Sequence, residues 1–224
     1  METKKILFPE SLQETLWRLE EVRLGFRSKS SADVQEALQW VLARQGLHGS
    51  YFDLFMPTNQ DLSQGVHLLT GERMLSNAGT RHVLGEEAFR TVIVWKLRSS
   101  PTVKQALKGF NDLLKAGAKS GSWCCYTCTT AFLRTLAAAK PNKWAGILEK
   151  GLDRIRKART PDGRWHGFPF YYMLLTLSEM DTPSARAELR HAGKIAERLL
   201  KRYHSDDRTS RFRRLALEAT LNVV

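Results

Sequence analysis

Two residue types that hold metals or act as nucleophiles recur in this chain just behind glycines. Cys124, Cys125 and Cys128 follow Gly121, His82 follows Gly79, His166 follows Gly163, and His48 follows Gly46. Thiolate and neutral imidazole are the donors zinc prefers, and a catalytic zinc needs three of them with a fourth position open. The candidate metal ligands are therefore Cys124, Cys125, Cys128, His82 and His166, with zinc as the cofactor to expect. Cys124 and Cys128 are four apart and share a face if the segment is helical; Cys125 and Cys128 would point nearly the same way. Against this stands the plain reading that free cysteines pack as small buried hydrophobes.

Two further groups could carry chemistry. Glu86 and Glu87 lie close behind His82, so His82 and Glu86 are candidates for acid–base work. Acids near a helix start are also favoured by the helix dipole alone. Trp123, Tyr126, Trp165, Phe168, Tyr171 and Tyr172 gather in the same stretches as the cysteines and His166. Such side chains line apolar pockets for an isoprenoid-like or peptide ligand, and they equally make ordinary core.

The elements that must position these residues read as helices throughout, because no stretch shows the period-two alternation or Asn-Gly turns of a sheet. Segment 10–24 repeats Leu12, Leu16 and Leu19. Segment 31–45 starts at a Ser30 or Ser31 cap, carries Val34, Leu38, Val41 and Leu42, and stops at Gly46. After Pro101 a stripe of Val103, Leu107, Phe110 and Leu114 runs to Gly117, expected as a left-handed cap. Segments 143–158 and 184–203 are likewise apolar on one side, and Asn59 is expected to cap a short helix through Leu69. The basic stretch 208–221 is an amphipathic helix with Phe212, Leu215 and Leu217 as its apolar residues.

Between the one-sided helices lie segments apolar on most sides, which demands burial on most sides. They are introduced by Gly79, Gly121 and Gly163, 42 residues apart each time, and Trp123 and Trp165 repeat at the same interval. This is an internal repeat of a buried inner helix and an amphipathic outer one, with units at about 79–120, 121–162 and 163–204 and a degenerate unit at about 30–78. One domain spans 1–224, since this length fills a single core.

Glycine turn, tryptophan, inner helix and outer helix in repetition resembles the α/α-toroid superfamily, which includes terpene cyclases, protein prenyltransferase β-subunits and lanthionine cyclases. The resemblance covers roughly residues 30–203. It implies an all-α stack of helical hairpins, about four in number, forming an open arc or incomplete ring that a homodimer would close. It also implies a central cavity, with the inner-helix starts converging on one mouth. Lanthionine cyclases bind zinc through the cysteine of a Trp-Cys-Tyr-Gly stretch and, further on, through the cysteine and histidine of a Cys-His-Gly stretch. Trp123-Cys124 matches the first, and His166-Gly167 matches the end of the second. Trp165 stands at the middle ligand, so the resemblance would need Cys125, Cys128 or His82 there. The Asp-x-Cys pairing of prenyltransferases is absent, with Ser122 two residues before Cys124, as is the DxDD motif of hopene-type cyclases.

Charge and composition narrow the partners. No apolar run approaches the roughly 18 residues that span a bilayer, and the basic start is not followed by an apolar stretch. Three clustered cysteines do not make a disulfide framework, so a reducing cytoplasm is the expected location. The net charge is +12, and from Lys140 onward 18 basic residues face 10 acidic ones, so +8 of it lies there. Weak, non-specific polyanion binding follows from such an excess. The chain is expected to be a cavity-bearing helical protein, as an enzyme on an isoprenoid-like or peptide substrate. The competing class is a non-enzymatic binder that turns a basic face to a nucleic acid or an acidic protein.

Overall fold

The computed structural model describes residues 5–28, 30–74, 76–203 and 205–223. Among them there are ten α-helices, two short 3-10 turns and three isolated β-bridges, but no strand. They divide into two compact units. One comprises the described residues up to Val66 and from Met74 to Ala116; the other comprises His67–Arg73 and the chain from Gly117 onward.

The first unit begins with α1, Leu12–Arg23, where Ser11 Oγ accepts from the Glu14 N–H. Leu12, Leu16 and Leu19 are buried, as their spacing predicts. Helix α2, Ser31–Leu42, takes Ser30 as its cap and ends before the expected boundary, the chain then turning toward a left-handed Gly46. Helix α3, Asn59–Gln64, is capped by Thr58 rather than Asn59, because Asp61 completes a capping box with Thr58. Gly65 stops it, so it does not reach Leu69. Asp61 also accepts from Ser11 Oγ at 2.6 Å and from the Leu12 N–H at 2.9 Å, which locks α3 to the start of α1.

Helix α4, Asn77–Val94, is buried from Val83 through Val92. Gly79 lies inside its first turn rather than ahead of it, because Ser76 caps the helix upstream through the Gly79 N–H. Helix α5, Pro101–Ala116, buries Val103, Phe110 and Leu114, with Leu107 half-buried at the edge of the stripe. The Phe89 and Phe110 rings meet at 5.5 Å. Gly117 is extended at φ 168, so the expected left-handed cap does not form there.

In the second unit α6, Tyr126–Ala139, and α8, Phe170–Ser178, are the buried helices, and α7, Trp144–Lys157, and α9, Pro183–Leu200, are one-sided. Buried and one-sided helices thus alternate along this unit. Gly121, at φ +77, rests on Gly151 of α7 so closely that a Cβ on either would collide. The repeat glycine thus serves two needs, a left-handed turn and a backbone-to-helix contact. Arg134 of α6 is fully buried and pairs with Glu179 through two hydrogen bonds of 3.0 and 2.7 Å. Helix α10, Arg208–Leu221, packs on α8 and α9 through Phe212, Ala216 and Leu217, while Leu215 is only half-buried. Arg213 of α10 donates to the Thr70 carbonyl at 2.7 Å and so holds the 67–73 segment.

The inner helices shorten from 18 to 14 to 9 residues along the repeat. Each shortening lengthens the turn in front, which moves the chemistry-bearing residues from helix onto turn.

Candidate functional site

The turn before α6 is pinned by one side chain. Thr129 Oγ1 accepts from the Trp123 N–H and donates to the Trp123 carbonyl, both at 3.0 Å. Cys124 stands in the left-handed region at φ +54, and Cys125 is the N-cap of α6. Cys124 is therefore not on the helix, and its grouping with Cys128 comes from the turn rather than from helical periodicity. The Cys128 sulfur is buried, 3.5 Å from Cys125 Sγ and within 4.8 Å of Cys124 Sγ. Cys124 and Cys125 are exposed. Three thiols thus meet in one turn.

The turn before α8 is longer. Arg159 and Trp165 bridge across it, and the His166 N–H donates to the Ala158 carbonyl at 2.8 Å. Pro169 caps α8, so Trp165 and His166 precede the helix instead of starting it. His166 is exposed, and its ring makes no hydrogen bond to a thiol among the described residues. Trp165 is buried, its Nε1–H donating to Glu188 at 2.9 Å; Glu188 also holds the Arg159 guanidinium at 3.0 and 2.9 Å. An indole offers no lone pair to a metal, so the middle ligand of the lanthionine-cyclase pattern is missing here. Trp165 therefore cannot serve as the middle ligand, while the sulfurs of Cys124 and Cys128 lie within 4.8 Å of each other.

The aromatic candidates divide. Tyr172 is fully buried under Arg134, whose guanidinium lies 5.6 Å from the ring centroid, and Trp165 has 3% of its surface left. These two are core. Tyr126 is 42% exposed and packs its ring on Phe168 at 4.8 Å. Gly167, at φ +79, lies against the same ring, where any Cβ would overlap it. Trp123 and Tyr171 are half-buried. Tyr171 continues an aromatic run from Trp165 through Phe170 to Tyr203, with centroids 6.1, 5.2 and 5.8 Å apart. Arg164 lies over Phe170 and Arg213 over Tyr171, at 5.2 and 4.7 Å. Burial, then the hydrogen bond with Tyr203, pushes the Tyr171 hydroxyl well above the usual phenol range.

His82 and Glu86 belong to the first unit. His82 sits in the second turn of α4, half-buried, with its ring 3.9 Å from that of Tyr51. Burial lowers its pKa by penalising the imidazolium. Glu86 and Glu87 are both buried, Glu87 lying 4.0 Å from Arg90 and Arg90 3.2 Å from Glu20 of α1. Glu21 pairs with Arg27 at 3.1 Å. Glu87 and Arg90 are three apart on α4, but Arg90 with Glu20, Arg134 with Glu179 and Arg159 with Glu188 have no signature in sequence, because those partners meet only in tertiary structure.

Two grooves mark the outer helices of the second unit. One, of about 350 Å³, runs between α7 and α9 past Glu149, Asp153, Arg156 and Glu188. Its carboxylates are engaged: Asp153 by Arg156 and Lys157, Glu188 by Arg159, and Glu149 by Ser184 at 2.6 Å. The other, of about 530 Å³, lies along α7, where Lys150, Arg154 and Lys157 share the lining with Glu149 and Asp153.

No helix is long and apolar enough to cross a membrane among the described residues. No family model and no curated protein matches the chain. A solved structure, the ent-copalyl diphosphate synthase from Streptomyces platensis, is similar to it with a TM-score of 0.54 and 15% identity, over 94% of this chain and 50% of that one. The chain thus spans about half the length of that protein. At such an identity the likeness is one of architecture, and the chain shares an all-helical fold with half of that terpene cyclase.

Proposed function

We propose that the second unit binds an isoprenoid-type ligand on the aromatic surface formed by the turns before α6 and α8, in an enzyme of terpene-cyclase type. The observation that carries this is Tyr126. Among the described residues it is one of two large hydrophobic side chains left exposed, and a glycine is kept beside its ring. An aromatic face held open in this way is a ready contact for an unsaturated hydrocarbon chain. Arg164 and Arg213 lie over Phe170 and Tyr171 of the aromatic run, and guanidinium groups match the geometry of a diphosphate. The similar solved protein is named for a terpenoid diphosphate, which is the same ligand chemistry.

Tryptophan fluorescence of the full chain titrated with geranylgeranyl diphosphate tests this. Saturable binding, weakened about tenfold by Tyr126→Ala, supports the reading. No saturable change, or equal affinity in Tyr126→Ala, refutes it. The second reading is a polyanion binder, favoured by the groove with Lys150, Arg154 and Lys157; an oligonucleotide that displaces no prenyl diphosphate yet binds α7 would support it.

A further inference from the structure

Cys125 and Cys128 stand apart from the ligand reading, and they form a pair of unlike environment. Cys125 is exposed at the N-cap of α6, where its side chain makes no cap hydrogen bond and its thiol donates to Cys128 Sγ. Cys128 is wholly buried one turn along the same face, 3.5 Å away sulfur to sulfur. We propose that this pair is a thiol–disulfide exchange site, with Cys125 as the attacking thiol, Cys128 as the resolving thiol and a low-mass disulfide as the oxidant.

The geometry supplies each step. A disulfide needs its sulfurs about 2.0 Å apart, and the exposed Cys125 thiol, already aimed at Cys128 and not used as a backbone cap, starts from 3.5 Å. The Cys125 thiolate attacks one sulfur of a disulfide RSSR, forming a mixed disulfide and releasing RS⁻. Cys128, losing its proton to solvent or to RS⁻, attacks Cys125 Sγ and releases the second RS⁻. Two protein thiols are oxidised and one RSSR is reduced to two RSH. Burial protects the Cys128 sulfur from outside reagents, so the first attack falls to an exposed thiol. Cys124 is also exposed and its sulfur lies within 4.8 Å of Cys128, but it stands on a left-handed residue outside the helix.

The test is to incubate the reduced full chain with glutathione disulfide and map the products by mass spectrometry under non-reducing conditions. The expected product is an intramolecular Cys125–Cys128 disulfide, with Cys124 still alkylatable. Cys128→Ser should trap glutathione on Cys125. Cys125→Ser, which keeps a good N-cap residue, should slow the reaction at least about tenfold. A Cys124–Cys128 or Cys124–Cys125 bridge, glutathione trapped mainly on Cys124, or undiminished oxidation in Cys125→Ser would overturn the assignment. So would zinc bound one per chain that protects the thiols of freshly purified protein.

Discussion

Gly167 lies directly beneath the ring of Tyr126, with a backbone φ of +79 that leaves no room for a side chain. The exposed tyrosine is therefore supported by a glycine placed 41 residues later in the chain, in the next repeat. Gly167→Ala has to bear a left-handed alanine, at roughly 1–2 kcal/mol, and must also displace the ring. The urea midpoint should fall and prenyl diphosphate affinity should fall with it. In the Tyr126→Ala background the same substitution should cost only the backbone strain. An additive double mutant would show that ring and glycine are not coupled.

Leu136 is fully buried on α6, an inner helix. Leu136→Ala should cost about 2–5 kcal/mol by chemical denaturation, since the close-packed surroundings cannot collapse into the space. A loss under about 0.5 kcal/mol would mean that α6 does not carry the core.

Protonation of His82 gives the first unit a pH dependence. Its folded pKa lies below the ordinary 6.5 because burial disfavours the charged ring. The unfolded chain then binds the proton more readily. The stability contribution is complete above 6.5 and is lost as the pH falls through 6.5 toward the folded value. Denaturation midpoints should drop between about pH 7.5 and pH 5.5, and His82→Gln should flatten that part of the curve. An unchanged pH profile in the variant would show that another group is responsible.

Of the architecture, the helical periodicities were readable because each depends on local spacing, whereas the glycines 42 residues apart differ in setting, Gly79 lying within α4 and Gly121 and Gly163 in left-handed turns. The buried α4, α6 and α8 alternate with one-sided α5, α7 and α9. Turn geometry was less legible. The left-handed residue near the expected Gly117 cap is Gly121, and Thr58 displaced Asn59 because a capping box satisfies more N–H groups than a lone cap. The site was legible as residue types but not as positions. Pro169 delays α8, so the residues matched to a zinc pattern fall on a turn where Trp165 is locked to Glu188. The clustering of the three sulfurs depends on a left-handed Cys124 that helical spacing does not foresee.

The charge excess should show itself as weak electrostatics. Binding of a fluorescent single-stranded oligonucleotide should lose at least about tenfold in affinity between roughly 50 and 200 mM salt, with no preference among base sequences. Tight binding that survives the higher salt and discriminates between sequences would favour the binder over the isoprenoid reading.

The most direct test of the isoprenoid reading is to locate the ligand. A prenyl diphosphate bearing a photoactivatable group in its hydrocarbon chain should, on irradiation with the full-length chain, label peptides around Tyr126 and Phe168, and excess geranylgeranyl diphosphate should suppress the labelling. Labelling confined to the basic outer helices α7 and α9, or labelling that unlabelled ligand fails to suppress, would contradict the account.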